Sequence, residues 1–340
     1  MTIERYLEGS GLEGAAVLVT GATGFIGGRL AERLAAGEGA RVTGTGRRLQ
    51  RACGLEEAGV RLEEADLLDA GRMRGLAEGQ EVVFHVAGWV GGDPDMARPV
   101  NVEAAGRLAR DAARAGVRRF ILVSSVSAYG DPDPRVVGED EPLATEAGHP
   151  YVRTKALGEV AVREAVEETG IELAIVRPAS VFGPRSTLWT EALAGFIRDG
   201  VPVLVGDGSS AFSPVYVDDL VDAMLLCAVA DGAAGRAFNV TEAPVPWREY
   251  ARPYAELYGR ELRGLDPEEA VRVVGGGEPA REGLPADDPR WATILAVGLA
   301  GLDGTSFATG RIRGLGWSPR VGLEAGMERT LDWLRREGPA

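Results

Sequence analysis

Short apolar runs punctuate the first half of the chain at 15–20, 40–45, 60–63, 81–86, 119–123 and 172–176. Between them, apolar residues recur every three or four positions, as with Leu30, Ala31 and Leu34, and the segments 99–115 and 150–169 read as helices. Strand and helix alternate, which predicts an α/β fold with a doubly wound parallel sheet. Past residue 184 the pattern loosens. We expect a helix at 188–199, a strand at 201–205, a helix from Asp218 and Asp219 to 230, and another at 247–258. From 259 to 310 the chain is rich in Gly, Pro, Asp and Glu, with one apolar segment, 291–302, suited to a pocket helix or a subunit contact. No internal repeat or low-complexity linker interrupts it. The expected division is a core at 12–184, rejoined by 215–242, and a smaller, interleaved C-terminal lobe at 185–214 and 243–338.

The first apolar run leads into Gly21, Thr23, Gly24, Phe25, Ile26 and Gly27, followed by a helical pattern. Strand, glycine-rich turn and helix in that order is the context of a dinucleotide site: the turn tightens, and backbone N–H groups at the helix start meet a pyrophosphate. A carboxylate commonly grips the ribose of NAD about twenty residues further on. Here Gly46 stands at that place, followed by Arg47 and Arg48. Guanidinium groups in place of a carboxylate suit a 2'-phosphate, so NADP is expected, with NAD as the alternative. The third run leads to Asp66 and Leu67, a carboxylate placed to accept from an adenine amino group. The fourth ends in His85, Val86, Ala87 and Gly88, small residues that leave room for the cofactor, and Trp89 begins a loop on the ligand side of the sheet.

Lys155 is the only lysine among 340 residues, in a chain that otherwise uses arginine. Tyr151 precedes it by one helical turn, so the two share a face. An ammonium is compact enough to donate to ribose hydroxyls beside a phenol, a task for which the wider guanidinium does not substitute. Proton transfer near neutrality requires lowering a phenol pKa of ~10 by about three units, roughly 4 kcal/mol. One ammonium seldom supplies that, and an oxidised nicotinamide ring would add a second positive charge.

Composition narrows the setting. With 45% hydrophobic and 26% charged residues, the chain has the make-up of a soluble globular protein, and its net charge of -14 argues against nucleic acid or an anionic membrane as partner. A small-molecule substrate and a cytoplasmic location are expected. Cys53 and Cys227 show neither metal spacing nor a disulfide framework, and His85 and His149 lack metal-ligand partners, so all four are assigned structural roles and no metal is expected.

Together these residues resemble the extended short-chain dehydrogenase/reductases (SDRs), the epimerase/dehydratase-like group. The resemblance rests on the 21–27 glycine motif, Asp66, the 86–88 turn, Asn101, Ser125, Tyr151, Lys155 and the turn at Arg177 and Pro178. The later segments 206–208, 215–219, 238–240 and 315–319 extend it over nearly the whole chain. It implies a Rossmann core with a C-terminal substrate lobe, cofactor contacts that include Pro178 and Val181, and a homodimer formed through the helices beginning at Pro99 and Pro150. It also implies that Tyr151 is the acid/base, that Lys155 holds the nicotinamide ribose and depresses the Tyr151 pKa, that Ser125 binds the substrate oxygen, and that Asn101 orders the active-site helix.

Departures from the family pattern separate its subclasses. Val126 and Ser127 follow Ser125 where dehydratases of this group carry an Asp-Glu pair, which argues against dehydration. Ser180 stands where nucleotide-sugar epimerases usually have asparagine, and Phe212 lies near the place of a phosphate-binding arginine; Arg185, Arg198 or Arg248 are the substitutes at hand. Trp89, Ser125, Val126, Ser180, Trp189 and Phe212 are expected at the substrate, with the aromatics lining its opening. The resulting expectation is an NAD(P)-dependent oxidoreductase that moves hydride between nicotinamide and a carbonyl or secondary alcohol, as in the dihydroflavonol-reductase and hydroxysteroid-dehydrogenase branches. A nucleotide-sugar epimerase with retained NAD and a non-catalytic NADP-binding sensor are the alternatives. The sensor reading is the weaker, because its usual sign is loss of the tyrosine or the lysine.

Overall fold

The computed structural model describes residues 11–52, 54–132, 136–280, 283–285, 287–301 and 304–338. Seven parallel strands build the central sheet: β1 (Ala16–Thr20), β2 (Arg41–Gly46), β3 (Arg61–Glu64), β4 (Val82–His85), β5 (Arg119–Val123), β6 (Glu172–Pro178) and β7 (Arg236–Val240). Their order is β7-β6-β5-β4-β1-β2-β3, so the winding direction reverses between β1 and β4. That reversal opens a crevice at the carboxyl ends of the strands, where ligands of such sheets bind.

Every residue of β1 and of β5 is buried, as parallel strands covered on both faces require. Side chains alternate between two cores. Val17 and Val19 pack with Leu30, Ala31 and Leu34 and with helix 217–229, whereas Leu18 joins Leu108, Val162 and Phe120 on the opposite face. The helices on that second face are α1 (Ala105–Arg114) and α2 (Pro150–Thr169), the latter beginning with proline at its first position and ending at left-handed Gly170.

Several expected elements take a different form. The helix expected at 99–115 starts as a π-helical turn, Pro99–Ala104, before α1, and the one at 188–199 is likewise split into a π turn, Thr187–Ala192, and a helix, Leu193–Arg198. The strand expected at 201–205 shrinks to Leu204–Val205, because Pro202 has no N–H to pair; its partner is Gly264–Leu265. The apolar segment near 291–302 is the helix Pro289–Ala300, with Trp291, Ile294 and Leu295 fully buried and the Trp291 indole donating to the Pro202 carbonyl at 2.7 Å. These three side chains face the interior, while Thr293 and Ala300 on the same helix are exposed. Cys53 and Leu302 lie outside the described residues.

Segments 215–219 and 315–319 meet in space. The buried Asp219 carboxylate accepts from the backbone N–H groups of Arg320, Val321 and Gly322 at 2.7, 3.0 and 2.9 Å, capping the start of the last helix, Gly322–Glu337. Asp222 holds the Arg320 guanidinium at 2.5 and 2.6 Å. The chain's last helix is thus tied to a helix of the central core.

Candidate active site

At the end of β1 the chain turns through Gly21, whose φ of 75° belongs to the left-handed region, and a Cβ there would press on the Ala87 backbone at 2.9 Å. A Cβ on Gly27 would overlap the Gly21 carbonyl oxygen. The helix Phe25–Glu32 begins at Gly24 with no side-chain cap, leaving its first N–H groups for an outside acceptor. Such a floor fits a dinucleotide pyrophosphate. Thr20 supports it from beneath: its hydroxyl oxygen accepts from Val86 N–H and Ala87 N–H, both at 3.2 Å, and its proton faces His85 Nδ1 at 2.9 Å. Burial, and then the Lys155 charge, push the His85 pKa down to about 3, so this ring is a neutral acceptor.

Gly46 ends β2 directly against Thr23, and a Cβ at Gly46 would overlap the Thr23 side chain. Arg47 and Arg48 follow, exposed, and neither guanidinium has an acidic partner among the described residues. Asp66 is also exposed, its carboxylate accepting from Leu68 N–H at 2.9 Å, while the Leu67 carbonyl accepts from Arg107 at 2.6 Å. Pro178 and Val181 are buried at the carboxyl end of β6 and just beyond it.

Helix α2 brings Tyr151 and Lys155 to the same cleft. The Lys155 ammonium donates to the Val123 carbonyl at 3.1 Å and lies 5.9 Å from the Tyr151 ring centre. Ser125 sits after β5, where its hydroxyl accepts from Ser127 N–H at 3.1 Å and lies near enough to the Tyr151 phenol to favour its ionised form. Asn101 reaches across from the π turn. Its amide oxygen accepts from Trp89 N–H at 2.7 Å, and its NH2 donates to the Trp89 carbonyl and to Thr154 Oγ1, both at 3.0 Å. Asn101 therefore joins the loop after β4 to the first turn of α2.

The electrostatics correct one expectation. Desolvation raises the Tyr151 pKa, opposed only by the Ser125 hydroxyl, and the depression expected from Lys155 is not seen in the protein alone. Lys155 is itself lowered to about 8 by burial, with Glu159 pulling the other way. An ammonium turned toward a carbonyl and held 5.9 Å from the ring acts weakly on the phenol. A phenolate here needs a further positive charge.

The expected substrate residues do not all converge. Trp89 is half-buried, with its indole N–H buried and unpartnered, and the neighbouring Val90 is 79% exposed. Val126 and Ser180 are half-buried, Ser180 at the start of a short strand, Ser180–Phe182, paired with Pro214–Tyr216. Phe212 is the correction. It is 1% exposed, with ring centres 4.4 Å from both Trp247 and Tyr250, and belongs to the buried interior instead of lining an opening. Trp189 packs edge-on against it at 5.2 Å, and its carbonyl accepts from Tyr250 OH at 2.8 Å. Arg185 stands in the left-handed region with φ of 69° and is exposed.

Sequence reasoning missed Glu159 and Arg177 as a pair. Glu159 is fully buried and Arg177 is 2% exposed; they are joined at 2.8 and 2.6 Å directly behind Lys155. The available signal was an acid four residues after Lys155, on the helix face that carries the site.

Comparison with known proteins agrees with this architecture. The model of the NAD-dependent epimerase/dehydratase family matches residues 17–241. The chain belongs to that family, and so to the extended SDR enzymes that work with a nicotinamide dinucleotide. A UDP-glucose 4-epimerase of Mycolicibacterium smegmatis is 31% identical over 342 residues, covering 94% of this chain and 98% of that protein. A 3 beta-hydroxysteroid dehydrogenase/Delta 5-->4-isomerase of Mycobacterium tuberculosis is 31% identical over 344 residues, covering 93% and 90%. In fold, the chain is like a UDP-glucuronic acid 4-epimerase from Bacillus cereus solved in complex with NAD, with a TM-score of 0.75 at 21% identity over 96% of this chain and 99% of that one. None of the described helices is long and apolar enough to cross a membrane.

Proposed function

We propose that this protein is an NADP-preferring oxidoreductase that interconverts a carbonyl compound and its secondary alcohol. The observation that carries the reading is the end of β2. Gly46 leaves no room for a ribose-gripping carboxylate beside Thr23, and two guanidinium groups without acidic partners follow it. A 2'-phosphate would complete that arrangement, and an exchangeable NADP suits net reduction or oxidation better than a retained NAD does. Trp89, with Val90 exposed beside it, supports a weakly charged substrate, and a hydroxysteroid dehydrogenase stands among the relatives.

In this mechanism Tyr151 exchanges a proton with the substrate oxygen, and Ser125 donates a hydrogen bond to the same oxygen. Lys155 supplies fixed positive charge beneath the phenol and donors for a ribose, while Asn101 holds the Trp89 loop on α2. A bound nicotinamide would accept or supply hydride and, when oxidised, bring the second positive charge that Tyr151 needs. Tyr151→Phe should cut turnover by about a thousandfold or more while leaving cofactor affinity nearly intact; full activity in that variant ends the assignment. The protein is also proposed to dimerise through the outer faces of α1 and α2, which its mass in light scattering would test.

The second reading, an epimerase with retained NAD, is favoured by the UDP-glucose 4-epimerase relative. Mass spectrometry of the purified protein for a carried dinucleotide, followed by separate NADPH and NADH titrations, decides between the two. Tighter, exchangeable NADPH, weakened about 10- to 100-fold by Arg47→Ala with Arg48→Ala while NADH is spared, supports the reductase. Retained NAD, with conversion of a UDP-sugar and no net change in reduced-nicotinamide absorbance, overturns it.

A further inference from the structure

Helix α2 places Glu159 one turn beyond Lys155, and the two side chains line the same narrow crevice, about 10 Å³, with His85 and Ser124. Both Glu159 oxygens are engaged by Arg177, at 2.8 and 2.6 Å. Arg177 continues to Tyr129 OH at 2.6 Å, and that hydroxyl donates to Asn239 at 2.7 Å. A buried ion pair is seldom retained for stability alone, since desolvating both charges offsets their attraction and a well-packed apolar pair often does as well. This pair stands immediately behind the chain's only lysine. We infer that Glu159 is a positioning residue for Lys155, its carboxylate held by Arg177, which Tyr129 and Asn239 anchor in turn, so that the half-buried ammonium stays charged and fixed at the edge of the cleft.

The surroundings of Lys155 leave Glu159 as the group suited to this role. On its own helix Lys155 faces Tyr151 and Glu159. From the other elements it meets neutral His85 at the end of β4, the Val123 carbonyl and Ser124 from β5, and Asn101 from the π turn. The Ser124 hydroxyl is buried and unpartnered, and Asn101 has committed its amide to Trp89 and Thr154. Arg177, on β6, is held by Glu159. Glu159 is the acid in this set, and its charge opposes the desolvation that lowers Lys155.

This inference rests on the role of Lys155 proposed above, but its test needs neither substrate nor cofactor, so the two readings fail on different measurements. A single lysine makes the test direct: protein grown on 13C-lysine gives one Cε resonance, which can be titrated from about pH 6 to about pH 11. Glu159→Gln, which keeps shape and removes charge, should lower the Lys155 midpoint by about one unit or more, a tenfold loss of proton affinity. Glu159→Asp, which keeps the charge but retracts it, should fall between that variant and the parent. An unchanged or raised midpoint in folded Glu159→Gln overturns the inference. An unfolded variant shows itself by a lysine titrating at the free value of ~10.4. In that case Glu159→Asp decides, and a midpoint there equal to the parent's overturns the inference as well.

Discussion

Arg177 and Phe182 lie close together in sequence, yet they enter buried clusters of opposite chemistry. Arg177 joins Glu159, Tyr129 and Asn239 in a chain of charge-assisted and neutral hydrogen bonds under the sheet's carboxyl end. Phe182 joins Tyr250, Phe212 and Trp247 in a knot of rings whose centres lie 4.4 to 5.6 Å apart. The first cluster is directional: Arg177 donates to both Glu159 oxygens and to Tyr129 OH, which donates on to Asn239, and losing one member strands its neighbours. The second holds by area and shape and tolerates change in proportion to the volume removed. The proposed proton-transfer site is backed by the first kind of cluster, and the interior around Phe212 is filled with the second.

The contrast can be broken or sharpened by substitution. Arg177→Met leaves the Glu159 carboxylate buried and unpaired, and should cost about 3 to 5 kcal/mol in urea unfolding. Phe212→Ala opens a void among rings and should cost about 3 to 4 kcal/mol, but it should leave the Lys155 titration and dinucleotide affinity unchanged. A shift of the lysine midpoint in Phe212→Ala would erase the distinction between the two clusters. The smallest effect concerns His85. Its pKa is near 3 in the folded chain against an ordinary 6.5, so above pH 6.5 it is neutral in both states and contributes no pH dependence. As pH falls below 6.5 the unfolded chain takes up a proton that the folded one refuses, and stability declines until about pH 3. Replacing His85 with Asn should flatten that part of the decline between about pH 6.5 and 5, read as the change in urea midpoint. With only two histidines in the chain, an unaltered slope would show that the ring is not held neutral.

Much of the core could be read from sequence because its signals are local. Short segments with apolar positions in runs or in alternation marked six of the seven sheet strands, and the glycines at 21, 24 and 27 carry meaning through the backbone they leave open. Tyr151 and Lys155 share a helix face by spacing alone. What escaped depends on tertiary direction. Phe212 occupies a two-residue strand, Ala211–Phe212, too short for alternation to show which side points inward. The strand expected at 201–205 overlooked what Pro202 forbids. Glu159 read as one more charged residue on a long helix, because only the arrival of Arg177 from β6 makes it a buried partner. The Tyr151 pKa likewise depended on where the Lys155 ammonium points, a rotamer that spacing does not specify.

The contact of Gly46 with Thr23 bears on how this enzyme could change its currency of reducing equivalents. In a turn with open space, one substitution to aspartate would install a grip on the NAD ribose. Here the Cβ of that aspartate would already collide with Thr23 in the glycine-rich turn. On the NADP preference proposed above, a redesign toward NAD would have to trim position 23 and rebuild position 46 together, and either change made alone should give a poorer binder.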